Sequence, residues 1–162
     1  MLNREQRRFR DRFLSPFKQR FYYLKSLPMG LISGIRLVQL DEDRSVTEVP
    51  FRWVNKNPFK SMYFSVQSMA AELSTAALVI LALKSVDDDV AFIIVEIKAV
   101  FNKKAQSKVV FTCQDHAAIL KAVSSLKKTG DTAKVTARAV GRDKEKEEVA
   151  TFYFTWSLRL RS

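Results

Sequence analysis

The feature that most constrains the fold is an apolar stretch at residues 62–83, which contains a single charged side chain. At a helical advance of about 100° per residue, four of its polar residues fall on one narrow stripe: Ser65, Ser68, Glu72 and Thr75. The other faces are apolar, so we expect protein to surround this helix on most sides. A buried carboxylate is costly unless it is hydrogen-bonded, protonated or used in chemistry. Glu72 is therefore the best single candidate for a catalytic group.

The rest of the chain has the composition of one compact globular domain, with 162 residues of which 47% are hydrophobic. The single cysteine, Cys113, excludes an intrachain disulfide and fits a reducing compartment, which favours a cytoplasmic location. The longest unbroken apolar run, residues 76–83, is far shorter than the roughly 18–20 residues that cross a bilayer. The charged N-terminus is unlike a signal peptide. We therefore expect no membrane span and no export signal.

Positive charge is concentrated near the N-terminus of this basic chain, whose formal net charge is +11. Such a surface attracts nucleic acid, anionic lipid or a phosphorylated cofactor, although a solvated helix face has the same pattern. Neither stacking on nucleic acid nor a membrane-surface helix has independent support here, because aromatic residues at helical spacing usually pack. We predict that residues 1–30 form a basic helical segment packed on a single domain of residues 31–162. The side chains expected to dock its second helix are Phe17, Phe21, Tyr22 and Leu24.

Changes in hydrophobic periodicity predict ten elements in order. They are helices at 3–14 and 16–26, strands at 35–40 and 45–54, the central helix at 62–83, strands at 90–103 and 107–112, a helix at 117–128, and strands at 132–142 and 147–161. Asn3 is a plausible cap for the first helix. The residues 28–30 (PMG) should break the second helix.

Two strands carry further expectations. Pro50 removes a backbone donor, so the strand at 45–54 should lie at a sheet edge or carry a bulge. The strand at 90–103 is rich in β-branched and aromatic residues and should be buried over much of its length. The most economical arrangement is an α+β domain in which an antiparallel sheet of about six strands wraps around the central helix, with helices at the N-terminus.

This order of elements resembles the hotdog fold. Residues 57–65 (NPFKSMYFS), followed by residues 70–72 (AAE), look like the central-helix motif of thioesterase-like hotdog proteins. Residues 95–101 (VEIKAVF) and 149–152 (VATF) resemble the strands that follow in those proteins. In detail the chain is most similar to an uncharacterised branch of the superfamily with an NPFxSMYF motif and an extra helix before the final hairpin. The resemblance covers roughly residues 31–160.

The resemblance implies acyl-thioester chemistry. In phenylacetate-degradation-type thioesterases, a backbone N–H at the helix start polarises the thioester carbonyl, and a carboxylate further along activates water or attacks directly. By this resemblance, Phe64 supplies the N–H, Asn57 is the loop asparagine, and Glu72 is the base or nucleophile of an acyl-CoA thioesterase. A helix N-terminus does stabilise a developing oxyanion, and a desolvated carboxylate is a better base. The resemblance also implies a homodimer, or a tetramer, in which Phe64 and Glu72 of one site come from different chains.

Other residues are expected to contact the substrate: Lys60, Ser61, Tyr63, Ser65, Ser68, Thr75 and Lys103. The two lysines could meet the phosphates of coenzyme A, which is part of the substrate and not a separate cofactor. Cys113 and His116 are too few for a zinc site, so no metal is expected.

Alternatives remain at three positions. Catalytic members of the superfamily usually have a Gly pair where this chain has Phe64 and Ser65, so Phe64 could fill space that a substrate needs. Asn57 could be a helix cap. Glu72 could be satisfied by the polar stripe or by a partner chain. A non-catalytic hotdog module, which binds an acyl or other apolar ligand at the dimer interface, is therefore the alternative to an enzyme.

Overall fold

The computed structural model describes residues 1–86 and 88–161. Within these residues the elements are α1 (Arg4–Leu14), α2 (Pro16–Ser26), α3 (Pro28–Ser33), β1 (Arg36–Leu40), β2 (Ser45–Val49), a short 3-10 helix (Trp53–Asn55), α4 (Phe64–Leu83), β3 (Val90–Phe101), β4 (Val109–Cys113), α5 (His116–Ser124), β5 (Thr132–Arg142) and β6 (Glu148–Leu160).

The six strands form one antiparallel sheet in the order β1-β2-β4-β5-β6-β3, and the sheet wraps around α4. The predicted α+β architecture is therefore confirmed. Small residues let the sheet approach the helix closely: the Thr47 hydroxyl of β2 donates to the carbonyl of Ala70 at 2.6 Å. Within the sheet, a Cβ at Gly141 of β5 would lie 2.4 Å from the ring of Phe111 on the neighbouring strand β4, so glycine is needed where this ring packs across the strands.

The predicted core face of the last strand is also confirmed. Its residues are at most 3% exposed: Ala150, Phe152, Phe154, Trp156 and Leu158. By length and composition α4 passes the test for a membrane-spanning helix, the one helix in the described part of the chain to do so. It is nevertheless the core helix of this domain, with 67% of its most apolar window buried inside the protein.

The prediction that residues 90–103 form a buried strand is wrong. β3 is the edge strand beside β6, and most of its side chains are exposed. Its large exposed apolar residues are Phe92, Ile93, Val95, Ile97, Val100 and Phe101. The run is apolar on both faces, so its composition is that of a buried strand. In the structure, however, it has a neighbouring strand on one side only and keeps a free edge on the other.

Pro50 acts differently from the prediction. The strand does not continue past it: β2 ends at Val49, and it lies inside the sheet between β1 and β4. Because proline has no N–H to donate, the ladder stops before Pro50 and a bulge is not required. The bulge lies instead in β1, where the register with β2 shifts between Leu37 and Gln39.

The N-terminal helices confirm some predictions and contradict others. Asn3 caps α1 through a reciprocal pair of hydrogen bonds with Gln6, as predicted. The amide of Gln6 also donates to the carbonyl of Leu81 at 2.9 Å, which ties α1 to α4. The second helix ends at Ser26, as the predicted break requires, but residues 28–30 are themselves helical because Pro28 starts the short helix α3.

The docking predicted for α2 is also wrong. The four side chains expected to dock it are exposed by 42% or more: Phe17, Phe21, Tyr22 and Leu24. Gln19 and Tyr23 are buried in their place. The division at residue 30 into a helical segment and a hotdog domain stays a prediction.

Candidate functional site

The loop before α4 is organised by the side chain of Asn57. Its Oδ1 accepts hydrogen bonds from the backbone N–H groups of Phe59 at 3.0 Å and Ser61 at 3.2 Å. Its Nδ2 donates to the Ser61 hydroxyl at 3.0 Å. Lys60, with φ at 59°, takes the left-handed conformation that closes this turn. Asn57 therefore shapes the turn that leads into α4, and the alternative that it caps the helix is wrong, because α4 begins at Phe64 after Tyr63.

The start of α4 is fixed by the backbone and left without a side-chain cap. The Met62 N–H donates to the carbonyl of Ala105 at 2.7 Å, and the Tyr63 N–H donates to that of Asn55 at 2.8 Å. No side chain caps the helix at Tyr63. Among the described residues, nothing accepts a hydrogen bond from the Phe64 N–H. This N–H is therefore available to an anionic or polarised oxygen at the positive end of the helix dipole.

Glu72 lies two turns further along α4 and is half-buried. Within the described residues its carboxylate has neither a hydrogen bond nor an ion pair, unlike the acids of the surface ion pairs. Burial raises the pKa of Glu72 above the usual range of a glutamate. A carboxylate that is partly desolvated and has no partner has the properties of a general base.

The Phe64 N–H and Glu72 of one chain cannot act on the same carbonyl. Eight residues separate them on one helix, which at 1.5 Å per residue is about 12 Å along the axis. Both groups must come within hydrogen-bonding distance of the reacting atoms. A site that used both groups would therefore need Glu72 from one chain and the helix start of a second chain.

The residues of the polar stripe differ in whether a substrate could reach them. Ser65 and Ser68 are half-buried on the same side as Glu72. Thr75 is fully buried: its hydroxyl donates to the carbonyl of Glu72 at 2.9 Å and accepts from the Trp156 indole N–H at 3.2 Å. Thr75 thus ties α4 to β6, and the structure offers no support for a substrate contact there.

The loop residues and the two lysines also differ in exposure and in position. Ser61 is 7% exposed and bonded to Asn57, whereas Tyr63 is 46% exposed beside the helix start. Lys60 is exposed on the loop. Lys103 lies instead near the β5–β6 turn, with its ammonium 2.8 Å from Asp143.

The charge of Lys103 is already neutralised there. It also pairs with Glu147, and hydrogen bonds to Asp143 and then Glu147 raise the pKa of the Lys103 ammonium. Among the described residues, no hydrogen bond or ion pair joins Lys103 to Glu72 or to the helix start, and both of its partners are acids of the β5–β6 turn. Its contact with coenzyme A stays a prediction without structural support.

Two buried polar residues near the site were missed from the sequence. Gln67, in the first turn of α4, is 4% exposed; its Nε2 donates to the carbonyl of Met62, and its Oε1 has no partner. The sequence does carry a signal for Gln67, because it is a polar residue on an otherwise apolar helix face. The Tyr23 hydroxyl is also buried without a partner, and its pKa is raised by burial, then by the charges of Tyr22 and Glu72. No pattern in the sequence indicated Tyr23.

Three cavities lie elsewhere on the chain. One of about 300 Å³ lies beneath α2 and α3, a groove of about 1130 Å³ runs between α1 and α2, and a shallow one of about 170 Å³ lies on β3, β5 and β6. None of the three includes Glu72 or the start of α4. Among the described residues there is also no cluster of three or more His, Cys, Asp or Glu that could hold a metal ion.

Comparison with known proteins gives a family and a fold. The domain of unknown function DUF4442 matches residues 20–158. No curated protein matches the chain. A Pseudomonas aeruginosa protein of unknown function, described as a probable thioesterase, is 21% identical with a TM-score of 0.71, covering 90% of this chain and 97% of that chain. A putative thioesterase from Shewanella oneidensis is 13% identical with a TM-score of 0.74, covering 93% and 97%.

A third solved structure shares a sequence spacing with the candidate site. The thioesterase enzyme from Staphylococcus aureus is 10% identical with a TM-score of 0.62, covering 82% of this chain and 98% of that chain. In one of its structures alanine replaces a glutamine, and in another alanine replaces a glutamate fifteen positions further along. Asn57 and Glu72 are also fifteen positions apart.

Proposed function

This chain belongs to the DUF4442 family and has the hotdog fold of the thioesterase-like superfamily, and we propose that it hydrolyses an acyl-CoA thioester at a site shared between two chains. One observation carries the proposal: Glu72 is a partly desolvated carboxylate without a partner, on the helix whose first N–H is unoccupied. The names of the solved relatives and the shared fifteen-residue spacing support it. Coenzyme A would be part of the substrate, and no metal is needed.

The partner chain in this proposal is a second copy joined through β3. The outer edge of β3 has no neighbour among the described residues, and its exposed apolar side chains include Ile93 at 64% and Ile97 at 54%. A long apolar edge strand in water is a site for pairing with another chain. Pairing of two β3 strands would build a homodimer and supply the second helix start that the 12 Å separation requires.

In the proposed reaction the thioester carbonyl accepts a hydrogen bond from the Phe64 N–H of one chain. Glu72 of the other chain takes a proton from water, and the water oxygen forms a bond to the carbonyl carbon. The C–S bond then breaks, and the leaving thiolate takes the proton from the Glu72 carboxyl. The products are a carboxylic acid and a free thiol. Direct attack by Glu72, followed by hydrolysis of an anhydride, remains the other route by the same residue.

The residues around this centre would bind the rest of the substrate. Ser65 and Ser68 lie on the Glu72 side of α4, and Tyr63 and Lys60 lie at its start. The exposed ammonium of Lys60 could meet a phosphate of coenzyme A. Asn57 and Ser61 hold the loop that positions these groups.

The test is an acyl-CoA hydrolysis assay in which the released free thiol is measured for substrates of different acyl chain length. Glu72→Gln and Glu72→Ala should lower kcat/KM by about 10²–10⁴-fold, the usual contribution of a general base, while the circular dichroism spectrum stays unchanged. Glu145→Gln is the matched control, because Glu145 is exposed on the β5–β6 turn. Activity of Glu72→Gln equal to that of Glu145→Gln would show that Glu72 is not the base.

A second candidate function rests on Phe64. Its ring is 56% exposed at the helix start, where catalytic members of the superfamily carry glycine. If this ring fills the substrate position, the protein is a module that binds an acyl or other apolar ligand between its two chains. Thermal stabilisation by an acyl-CoA without thiol release would favour this function. Release that appears only in Phe64→Gly would identify the ring as the obstruction.

We also propose a cytoplasmic location. The cysteine content supports this proposal, because the single cysteine of the chain, Cys113, is a free thiol, as is usual in a reducing compartment. Measuring the distribution of the protein between cell fractions tests this proposal.

A further inference from the structure

Helix α2 exposes its large apolar side chains and docks on the protein through Gln19 and Tyr23. Phe17, Phe21 and Leu24, spaced as one face of a helix, are 82%, 66% and 64% exposed. Gln19 is 3% exposed and Tyr23 is 1% exposed, and they form the side that contacts the protein. A surface helix in water normally has the opposite arrangement, with apolar residues facing the core. The exposed face of α2 is therefore suited to an apolar environment.

Helix α3 repeats this arrangement. Its buried residues are Gly30 and Ser33, whereas Met29 and Ile32 are 54% and 53% exposed. The Ser33 hydroxyl is satisfied by the carbonyl of Met29 at 2.6 Å. Because α2 and α3 contact each other, two consecutive helices present large apolar side chains outward. Exposed apolar patches of this kind mark interaction surfaces.

Positive charge surrounds the exposed face. Arg12, Lys18 and Lys25 line the groove between α1 and α2, together with the rings of Phe17 and Phe21. Among the described residues, none of the three cations is paired with an acid. The acids of α1 are taken up within that helix, where Glu5 pairs with Arg8 and Asp11 with Arg10. The surface therefore combines apolar side chains with uncompensated positive charge.

The surface is anchored to β1, at the other end of the strand order from the β3 edge at which we place the dimer. The Gln19 amide donates to the carbonyl of Leu37 at 3.1 Å, which ties α2 to β1. β1 and β3 are the two ends of the six-stranded sheet. A dimer built through β3 therefore offers no strand of its interface to cover α2.

We propose that α2 and α3 bind the surface of an anionic lipid bilayer. In the bound state five side chains enter the boundary between headgroups and acyl chains: Phe17, Phe21, Leu24, Met29 and Ile32. Arg12, Lys18 and Lys25 contact the lipid phosphates. Amphipathic helices bind membranes through this combination of apolar insertion and electrostatic attraction. The proposal is independent of thioester hydrolysis.

Nucleic acid fits the same charge but not the same side chains. Phe17 and Phe21 could stack on bases, but single-strand binding uses aromatic rings and cations and has no role for exposed aliphatic groups. Leu24, Met29 and Ile32 are aliphatic and protrude beside the rings. A bilayer accommodates all five apolar residues, so it is the occupant that accounts for the whole surface.

Co-flotation of the full chain with vesicles tests the proposal. The vesicles contain phosphatidylcholine alone or with about a third of phosphatidylglycerol. We expect binding to the anionic vesicles, at least about tenfold weaker binding to the neutral ones, and a decrease as salt is raised. Phe21→Ser/Leu24→Ser and Lys18→Glu/Lys25→Glu should each weaken binding by about tenfold or more.

Matched variants separate this surface from general effects. Phe59→Ser removes an aromatic side chain that is 74% exposed on the loop before α4, and Lys127→Glu/Lys128→Glu changes the net charge equally on exposed residues after α5. Both should bind as the wild type does. Loss of binding in the charge control would reduce the effect to net charge and overturn the proposal.

Other results would also overturn it. One is failure of the wild type to float with anionic vesicles, and another is flotation of Phe21→Ser/Leu24→Ser equal to that of the wild type. If the same double variant lowers the oligomeric state in ultracentrifugation and vesicles are not bound, the face is covered by a second copy. Binding to a single-stranded oligonucleotide in place of vesicles would assign the surface to nucleic acid.

Discussion

Replacing Glu72 by Gln should stabilise the protein, because the wild-type carboxylate is partly desolvated and has no bonding partner among the described residues. Glutamine has the same shape and carries no charge to desolvate. An unsatisfied buried polar group costs about 1–3 kcal/mol, and more if it is charged, so Glu72→Gln removes the part of this cost that comes from the charge and keeps the part that comes from an unpaired polar group. Because Glu72 is half-buried, we take the lower end, about 1 kcal/mol. For a chain of this size that raises the Tm by about 2–4 °C.

The pH dependence of stability gives an independent test of the sign of this effect. Since burial raises the pKa of Glu72, the folded protein holds this proton to a higher pH than the unfolded chain does. The free energy of unfolding should therefore fall as the pH rises from the usual glutamate range through the raised pKa of Glu72. In Glu72→Gln this part of the pH dependence should be absent.

Urea denaturation at several pH values, followed by tryptophan fluorescence, measures both effects. A variant that is both less active and more stable would identify Glu72 as a group kept for function at a cost in stability. The reasoning would be refuted if Glu72→Gln lost stability by about 1 kcal/mol or more, because that loss would show a carboxylate held by structural hydrogen bonds.

Three further predictions follow from the packing around α4 and the sheet. Thr75→Val should leave the Trp156 N–H without its acceptor and destabilise the protein by about 1–3 kcal/mol in urea, with KM unchanged if Thr75 does not contact substrate. Ile97→Lys, on the exposed edge of β3, should give a folded monomer in ultracentrifugation that has lost hydrolysis; a fully active dimer would contradict the β3 interface. Gly141→Ala should lower the Tm, since overpacking against the buried Phe111 ring costs about 1–3 kcal/mol, and an unchanged Tm would show that the ring moves aside.

The central helix and the sheet around it could be predicted from the sequence, because both depend on local periodicity. The apolar stretch with one acid predicts a core helix, and the motif at residues 57–65 predicts where it begins. The alternating pattern of β6 identifies its buried face. Each of these features depends on residues that are close together in the sequence.

The wrong predictions concern which neighbours a helix or strand has in the folded protein. The run of residues 90–101 has the composition of an interior strand, but only the topology shows that it has one neighbour. In α2, Phe17 and Phe21 indicate a docking face, yet the helix docks through Gln19 and Tyr23. The composition of a segment shows that its side chains are apolar, but it does not show whether the same chain covers them. For the site, the sequence located Glu72 and the helix start, whereas the unpartnered atoms of Gln67 and Tyr23 appear only in three dimensions.

The two ends of the sheet have different capacities for growth. β1 is five residues long, its register is interrupted by a bulge, and its Leu37 carbonyl is already bonded to Gln19. β3 is twelve residues long, and its outer edge has no neighbour in the part of the chain that the structure describes. If two chains pair through β3 as proposed, each sheet can be extended at that end only, so pairing would stop at a dimer and would not continue into a fibre.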